Sequence, residues 1–403
     1  MHYQKGLLVF FVLPLLILSG LPLAFAGPEI VGQAAVVIDS KNGQVLFEKN
    51  PHQRMYPAST TKTLTAIIAL ENFQLSDLVT IPRNACNIEG SAIGLQEGEV
   101  ISMEHLLYSL LLISGNDAAV AIASHYDSTV DGFIRLMNEK VAGLGAVNTH
   151  FKNPNGLPDP EHYTTAYDLS LIACHAMKNE EFRKIVATKT KTIQREDPKA
   201  QTYLLNSNKL LWRYDGAVGI KTGYTEAARQ CLVAAAVRQG RELITVVLGS
   251  EGNSIWNDTS TLLDYGFNNF ELIKVAESGS HITDVRVRYG VSDTISALAG
   301  YSLTYNISRD EPFVIRKEVK LKEKITAPIE AGDELGEVMY YIGEQEIGKV
   351  SLVSNQAVQR KILFMWWPWV LVVAALLTLR SIVRYHSHVR RRHYVQYNRR
   401  KYY

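Results

Sequence analysis

Residues 362–379 are 18 consecutive positions without a charged side chain, and no other feature restricts the chain as much. A helix rises 1.5 Å per residue, so the run covers about 27 Å, close to the thickness of a bilayer's hydrocarbon core. Positions 370–377 are apolar on every face, unlike a helix that lies in the interface with one polar side. Trp366, Trp367 and Trp369 stand at its entry, as interfacial aromatics do. Its exit is followed by Arg380, Arg384, Arg390, Arg391, Arg392, Arg399, Arg400 and Lys401, with no Asp or Glu in residues 380–403. The positive-inside rule then predicts a cytoplasmic tail over 380–403 and an exported body before the membrane helix 362–379. The other end agrees. Lys5 precedes an apolar run over 6–18, and Ala24-Phe25-Ala26 is a small-x-small cleavage signal. A signal peptide over 1–26 is therefore expected, in preference to an uncleaved anchor, because the apolar core is short.

Seen this way, the overall charge is a sum over two compartments. The 403 residues carry 42 Lys+Arg and 40 Asp+Glu, a formal +2. Eight of the cations lie in the tail, leaving 34 basic against 40 acidic residues before it. A mildly acidic body argues against nucleic acid as a partner. With 47% hydrophobic and 20% charged residues, a disordered chain is excluded. Cys86, Cys174 and Cys231 are too few and odd in number for a disulfide framework and are expected to be buried thiols, the alternative being one extracellular pair.

Within the exported part, apolar stretches at 34–39 and 44–47 joined through Asn42-Gly43 predict a hairpin. Apolar spacings of three and four predict helices over 60–71, 103–113, 117–126, 131–144 and 165–177. Strands are predicted at 219–221, 231–238 and 242–248, and a closing helix at 259–270. These elements make an α/β layer fold over 27–278, whose antiparallel sheet is assembled from both ends of the domain. Residues 279–358 change to short alternating runs punctuated by glycine, which predicts a separate small all-β domain before the membrane helix.

Three short motifs carry chemistry. In Ser59-Thr60-Thr61-Lys62 a serine precedes a lysine by three positions, one helical turn, and a lysine held near other cations or apolar groups can take the hydroxyl proton. Alone this pattern usually marks an N-cap and a solvated lysine. Ser114-Gly115-Asn116 follows an apolar helix 55 residues on, and Lys221-Thr222-Gly223 lies on a strand pattern a further 107 residues on. The three in this order match the S-x-x-K, S-D-N and K-T-G set of penicillin-interacting serine enzymes, with Gly115 in place of the Asp.

From about residue 32 to 356 the chain resembles the D-alanyl-D-alanine carboxypeptidases, the low-molecular-mass penicillin-binding proteins of serine peptidase family S11. Tyr56-Pro57-Ala58-Ser59, Asn153-Pro154-Asn155-Gly156-Leu157 and Lys221-Thr222-Gly223-Tyr224 resemble that family more than the β-lactamases, and Ala327-Pro328-Ile329-Glu330 resembles its C-terminal β domain. The resemblance implies a β-lactamase/transpeptidase-like fold. It also implies that Ser59 attacks the penultimate D-Ala carbonyl of a peptidoglycan stem peptide, with Lys62 as base. Ser114 then protonates the departing D-Ala, and Asn116 orients Lys62. Lys221 and Thr222 meet the terminal carboxylate, Gly223 lets the substrate approach, and the N–H groups of Ser59 and Tyr224 form the oxyanion hole. β-Lactams are implied as acylating inhibitors, no metal or cofactor is implied, and the location is a bacterial cell membrane, facing outward. Two positions depart from the family pattern: Ile255 stands where an Arg usually precedes the aromatic residue, and Arg229 where Gly is usual. Arg229 is expected to supply part of the missing positive charge, the alternative being a solvated hairpin residue. A β-lactamase-like hydrolase and a non-catalytic wall-binding protein are the competing functions.

Overall fold

The computed structural model describes residues 27–127, 129–310 and 312–400. The signal peptide expected over 1–26 lies outside the described residues. The N-terminal hairpin forms as the Asn42-Gly43 pair demands, from β1 (Ala34–Asp39) and β2 (Val45–Lys49). Gly43 sits at φ 72°, a left-handed conformation that costs glycine nothing. All six residues of β1 are buried, so both faces of this strand are covered, which its unbroken Ala-Ala-Val-Val-Ile run anticipates.

The helical block follows. It comprises α1 (Lys62–Asn72), a small hairpin of β3 (Leu78–Thr80) and β4 (Val100–Ser102), then α2 (Met103–Leu112), α3 (Asn116–Asp127), α4 (Val130–Gly143), α5 (Ala166–Ala176) and α6 (Glu180–Ala187). Side chains cap it: Ser102, Thr129, Thr165 and Asn179 accept from the first-turn N–H groups of α2, α4, α5 and α6. A second hairpin, β5 (Thr190–Thr192) with β6 (Tyr203–Leu205), and one turn, α7 (Leu210–Arg213), lead into the returning strands. These are β7 (Ala217–Thr225), β8 (Arg229–Arg238) and β9 (Arg241–Ser250), followed by α8 (Ser254–Asn269). The sheet order is β2-β1-β9-β8-β7. Strands from both ends of the domain thus share one sheet, as expected, with the motif strand β7 at its edge. There β7 pairs antiparallel with β8, Thr222 opposite Leu232 and Gly223 opposite Cys231.

The chain divides into two compact units, one of residues 27–38, 47–237 and 243–265, the other of 39–46, 238–242 and 266–400. In the second, β10 (Phe270–Ala276) precedes β11 (His281–Arg286) and β12 (Thr294–Ala299), and pairs with β13 (Leu303–Ser308). With β14 (Ile315–Leu321), β15 (Glu334–Ile342) and β16 (Gln345–Ser354) the module forms a five-stranded sheet in the order β11-β12-β16-β15-β14. Val285, Ile295, Val338, Val350 and Leu352 fill its interior. The chain ends in α9 (Trp366–Arg400), which has an 18-residue window of mean hydropathy 1.7 with none of it buried. This helix is long and apolar enough to cross a membrane, and it continues through the basic residues rather than stopping at 379. The cysteines differ from expectation: Cys231 is buried, but Cys86 and Cys174 are only partly so.

Candidate active site

Ser59 lies in a 3-10 turn, Ala58–Thr61, which runs directly into α1. The sequence spacing predicted one continuous helix there. The tighter turn preserves the juxtaposition, and Lys62 Nζ lies 2.8 Å from Ser59 Oγ. Ala58 enters the turn at φ 48°, a strained backbone for a residue with a Cβ, of the kind that recurs where a side chain must be presented at a fixed point.

Lys62 is completely buried. Its Nζ reaches three oxygens: Ser59 Oγ, Asn116 Oδ1 at 2.6 Å and the carbonyl of Asn155 at 2.5 Å. The carboxamide of Asn116 cannot turn round, because its Nδ2 donates to the carbonyl of Glu89 at 2.6 Å. Burial, and next the charge of Lys221, hold the Lys62 amine well below the usual lysine value of 10.5, while Asp117 opposes them. A neutral amine has two N–H donors and one lone pair. Asn116 Oδ1 and the Asn155 carbonyl can only accept, so they take both donors and leave the lone pair to the Ser59 hydroxyl. That arrangement suits proton transfer from the hydroxyl to the amine.

Asn116 is held from behind. Its N–H donates to Ser91 O at 2.6 Å. The neighbouring carboxylate of Asp117 accepts from the N–H groups of Ile93 and Leu95 at 2.9 and 3.2 Å. Arg195, its side chain 1% exposed, clamps the same loop through Glu99 at 2.7 and 2.8 Å and through the carbonyls of Ile93 and Gly94. Gly115 fits this packing, since a Cβ there would press on Asp117 Oδ1 at 3.0 Å. Ser114, at φ 68°, has a buried hydroxyl without a hydrogen-bond partner. An unpaired buried hydroxyl costs stability unless a water or ligand supplies the missing hydrogen bond.

The edge strand β7 closes the other side. A Cβ on Gly223 would lie 3.0 Å from both Pro57 O and Ser59 N, so only glycine lets the strand run this close to the nucleophile's turn. Lys221 is buried, and burial lowers its amine to about 7. It donates to Thr222 O at 3.0 Å. Thr222 Oγ1 pairs with Ser207 Oγ at 2.8 Å, and Tyr224 is 60% exposed.

Ser59, Ser114, Thr222, Gly223 and Tyr224 line one cleft of about 460 Å³, with Lys62, Asn116 and Lys221 behind its walls. All eight residues singled out in the sequence therefore converge. Arg229 does not join them: its guanidinium pairs with Glu251 at 2.9 Å, both side chains exposed. The charged side chain lining the cleft is Lys209, beside Ile255 and Trp256, with Nζ 5.7 Å from the Trp256 ring. Sequence reasoning missed Lys209, Ser207 and the Asn155 carbonyl. The last is fixed in place by its neighbour, since Gly156, at φ 88°, leaves no room for a Cβ beside Ala58 O.

A buried lysine aimed at a serine, an asparagine locking that lysine and a glycine strand against the nucleophile define a serine acyl-transfer enzyme. Residues 23–252 match the family profile described as D-alanyl-D-alanine carboxypeptidase, and residues 270–360 that of the penicillin-binding protein 5 C-terminal domain. The D-alanyl-D-alanine carboxypeptidase DacF of Bacillus subtilis is 33% identical, over 83% of this chain and 89% of its own length. DacA of Haemophilus influenzae is 32% identical, over 86% and 90%. The crystal structure of penicillin-binding protein 5 from Haemophilus influenzae superposes with a TM-score of 0.73 at 31% identity, covering 83% of this chain and 99% of that one. The chain belongs to the D-alanyl-D-alanine carboxypeptidase family of serine peptidases and is an enzyme of the penicillin-binding class.

Proposed function

We propose that the cleft removes the terminal D-Ala from peptidoglycan stem peptides through an acyl-serine, and that the following residues perform it. Lys62, neutral, takes the Ser59 proton as Oγ bonds to the carbonyl carbon of the penultimate D-Ala. The oxyanion is met by the N–H groups of Ser59 and Tyr224, which the close approach of Gly223 to Ser59 N supports. Collapse breaks the C–N bond. Ser114, whose hydroxyl has no other partner, passes a proton to the leaving amine and is reprotonated from Lys62. Water then adds to the acyl carbon, with Lys62 again accepting a proton, and as the ester C–O bond breaks Lys62 returns that proton to Ser59 Oγ, restoring the free hydroxyl and the neutral amine. Lys221 and Thr222 bind the terminal carboxylate, and Lys209 adds the cation that Arg229, paired with Glu251, does not supply.

The observation that carries this reading is the three-oxygen environment of the buried Lys62 amine. For location, we infer that α9 crosses the membrane once, with both compact units outside and the basic tail in the cytoplasm. The activity is tested by incubating the purified chain with an acyl-D-Ala-D-Ala peptide and, separately, with a penicillin. Stoichiometric release of D-Ala, together with a penicillin adduct that persists over many peptide turnovers, is expected. Rapid release of hydrolysed penicillin without D-Ala release would instead mark a β-lactamase.

A further inference from the structure

The end of the β-strand module carries apolar side chains that its own core does not use. After β11 the chain turns at Arg288–Gly290, where Tyr289 adopts φ 60°, a conformation rarely taken by an aromatic residue and costly unless the surroundings enforce it. Tyr289 is nevertheless 43% exposed, and Val291 61%. The segment leading to α9 straps this turn in place: Lys361 N–H donates to Tyr289 O at 2.8 Å, and Val291 N–H to Gln359 O at 2.9 Å. The ring of Phe364 packs on Tyr289 with centroids 4.7 Å apart. Ile362, Leu363 and Phe364 are 63%, 66% and 46% exposed, and Trp366, Trp367 and Trp369 follow within one turn or two. The strained turn and the helix entry are therefore joined, through the Tyr289–Phe364 contact and the two backbone hydrogen bonds, into one group of exposed apolar residues rather than a scatter of single ones.

Its rim is cationic. Arg288 is exposed at the same turn, the Arg360 guanidinium lies 5.7 Å from the Tyr289 ring, and Lys361 stands beside them, paired with Asp293 at 2.9 Å. Aromatic and aliphatic residues bordered by Arg and Lys are the composition of a surface seated at the headgroup level of a bilayer. A freely swinging tether would need neither the hydrogen-bonded strap nor a strained tyrosine.

We propose that the turn at 288–291 and residues 362–364 form a lipid-docking surface, so that the β module is seated on the phospholipid interface rather than hung from α9 by a loose linker. The occupant is the outer face of the same bilayer that α9 crosses, and the proposal rests on that reading of the helix.

The test uses the full chain reconstituted in vesicles of phosphatidylethanolamine and phosphatidylglycerol that carry a trace of phospholipid with a diazirine near its glycerol backbone. Irradiation and mass spectrometry then map the lipid adducts. Adducts are expected on 288–293 and on α9, about tenfold above those around Val147, an exposed apolar residue of the other unit. The double variant Tyr289→Asp, Val291→Asp should lose the adducts at 288–293 and keep those on α9. Labelling of α9 with only the Val147 level at 288–293 would overturn the docking while leaving the membrane helix intact. An unlabelled α9 would overturn both.

Discussion

The helical block closes over two lysines, an aspartate and an asparagine, Lys62, Lys221, Asp117 and Asn116. The small module, built from strands, closes over Val285, Ile295, Val338, Val350 and Leu352. Hydrophobic burial stabilises both, but the first interior also holds an amine deprived of solvent and a serine hydroxyl without a partner. Such groups destabilise a fold unless they are supported. Their support is the layer behind them, where Arg195 and Asp117 fix the loop that carries Glu89 and Ser91. The contrast teaches which interior is arranged for chemistry: the one whose polar groups converge on an opening. Among the described residues, the module's apolar cluster holds no lysine, aspartate or asparagine, and its informative residues lie on its surface.

Exchanging apolar and polar side chains in each interior breaks this comparison most sharply. Lys62→Met keeps the volume and removes the base, so peptide turnover and penicillin acylation should both fall about 10²–10⁴-fold. Its melting temperature should hold or rise, because a desolvated amine is replaced by an apolar chain. Equal losses of stability and activity would show Lys62 to be structural. Leu352→Ala in the module should do the reverse, lowering stability by about 2–5 kcal/mol in denaturant titration and leaving kcat/KM on a soluble peptide unchanged. A smaller effect is expected at the cleft wall. Lys209→Met should raise KM for a peptide with a free terminal carboxylate about tenfold, roughly 1.4 kcal/mol, and Lys209→Arg should restore it. If a peptide ending in an amide suffers the same loss, Lys209 is not reading the carboxylate.

Much of this was legible in the chain because the signals are local. Asn42-Gly43 marks its hairpin, the apolar spacings mark the helices, and the Ser-x-x-Lys, Ser-Gly-Asn and Lys-Thr-Gly motifs reach the same cleft. The helix α6 is not legible in the sequence, although Asn179 caps it and Phe182, Ile185 and Val186 form its buried face. It spans eight residues, and its first turn reads as a charged loop. The hairpins β3–β4 and β5–β6 have strands of three residues each, too short for alternation to show. At the site, what stayed hidden acts through the backbone or through tertiary partners. The Asn155 carbonyl has no sequence signature, and the pairing of Arg229 with Glu251, 22 residues away, removes a cation that composition alone would have counted. Lys209 becomes a cleft residue only because α7 follows it and β7 then returns beside Ser207.

The most direct test is the rate of Ser59 acylation by a penicillin as a function of pH, followed by intact-mass analysis, with Ser59→Ala as the control. With Lys62 neutral at its post, the rate should rise and reach its plateau well below the ordinary lysine value of 10.5. No adduct should form on Ser59→Ala. A rate that keeps climbing toward 10.5, or an adduct that persists without the Ser59 hydroxyl, would contradict the assignment of Lys62 and Ser59 as base and nucleophile.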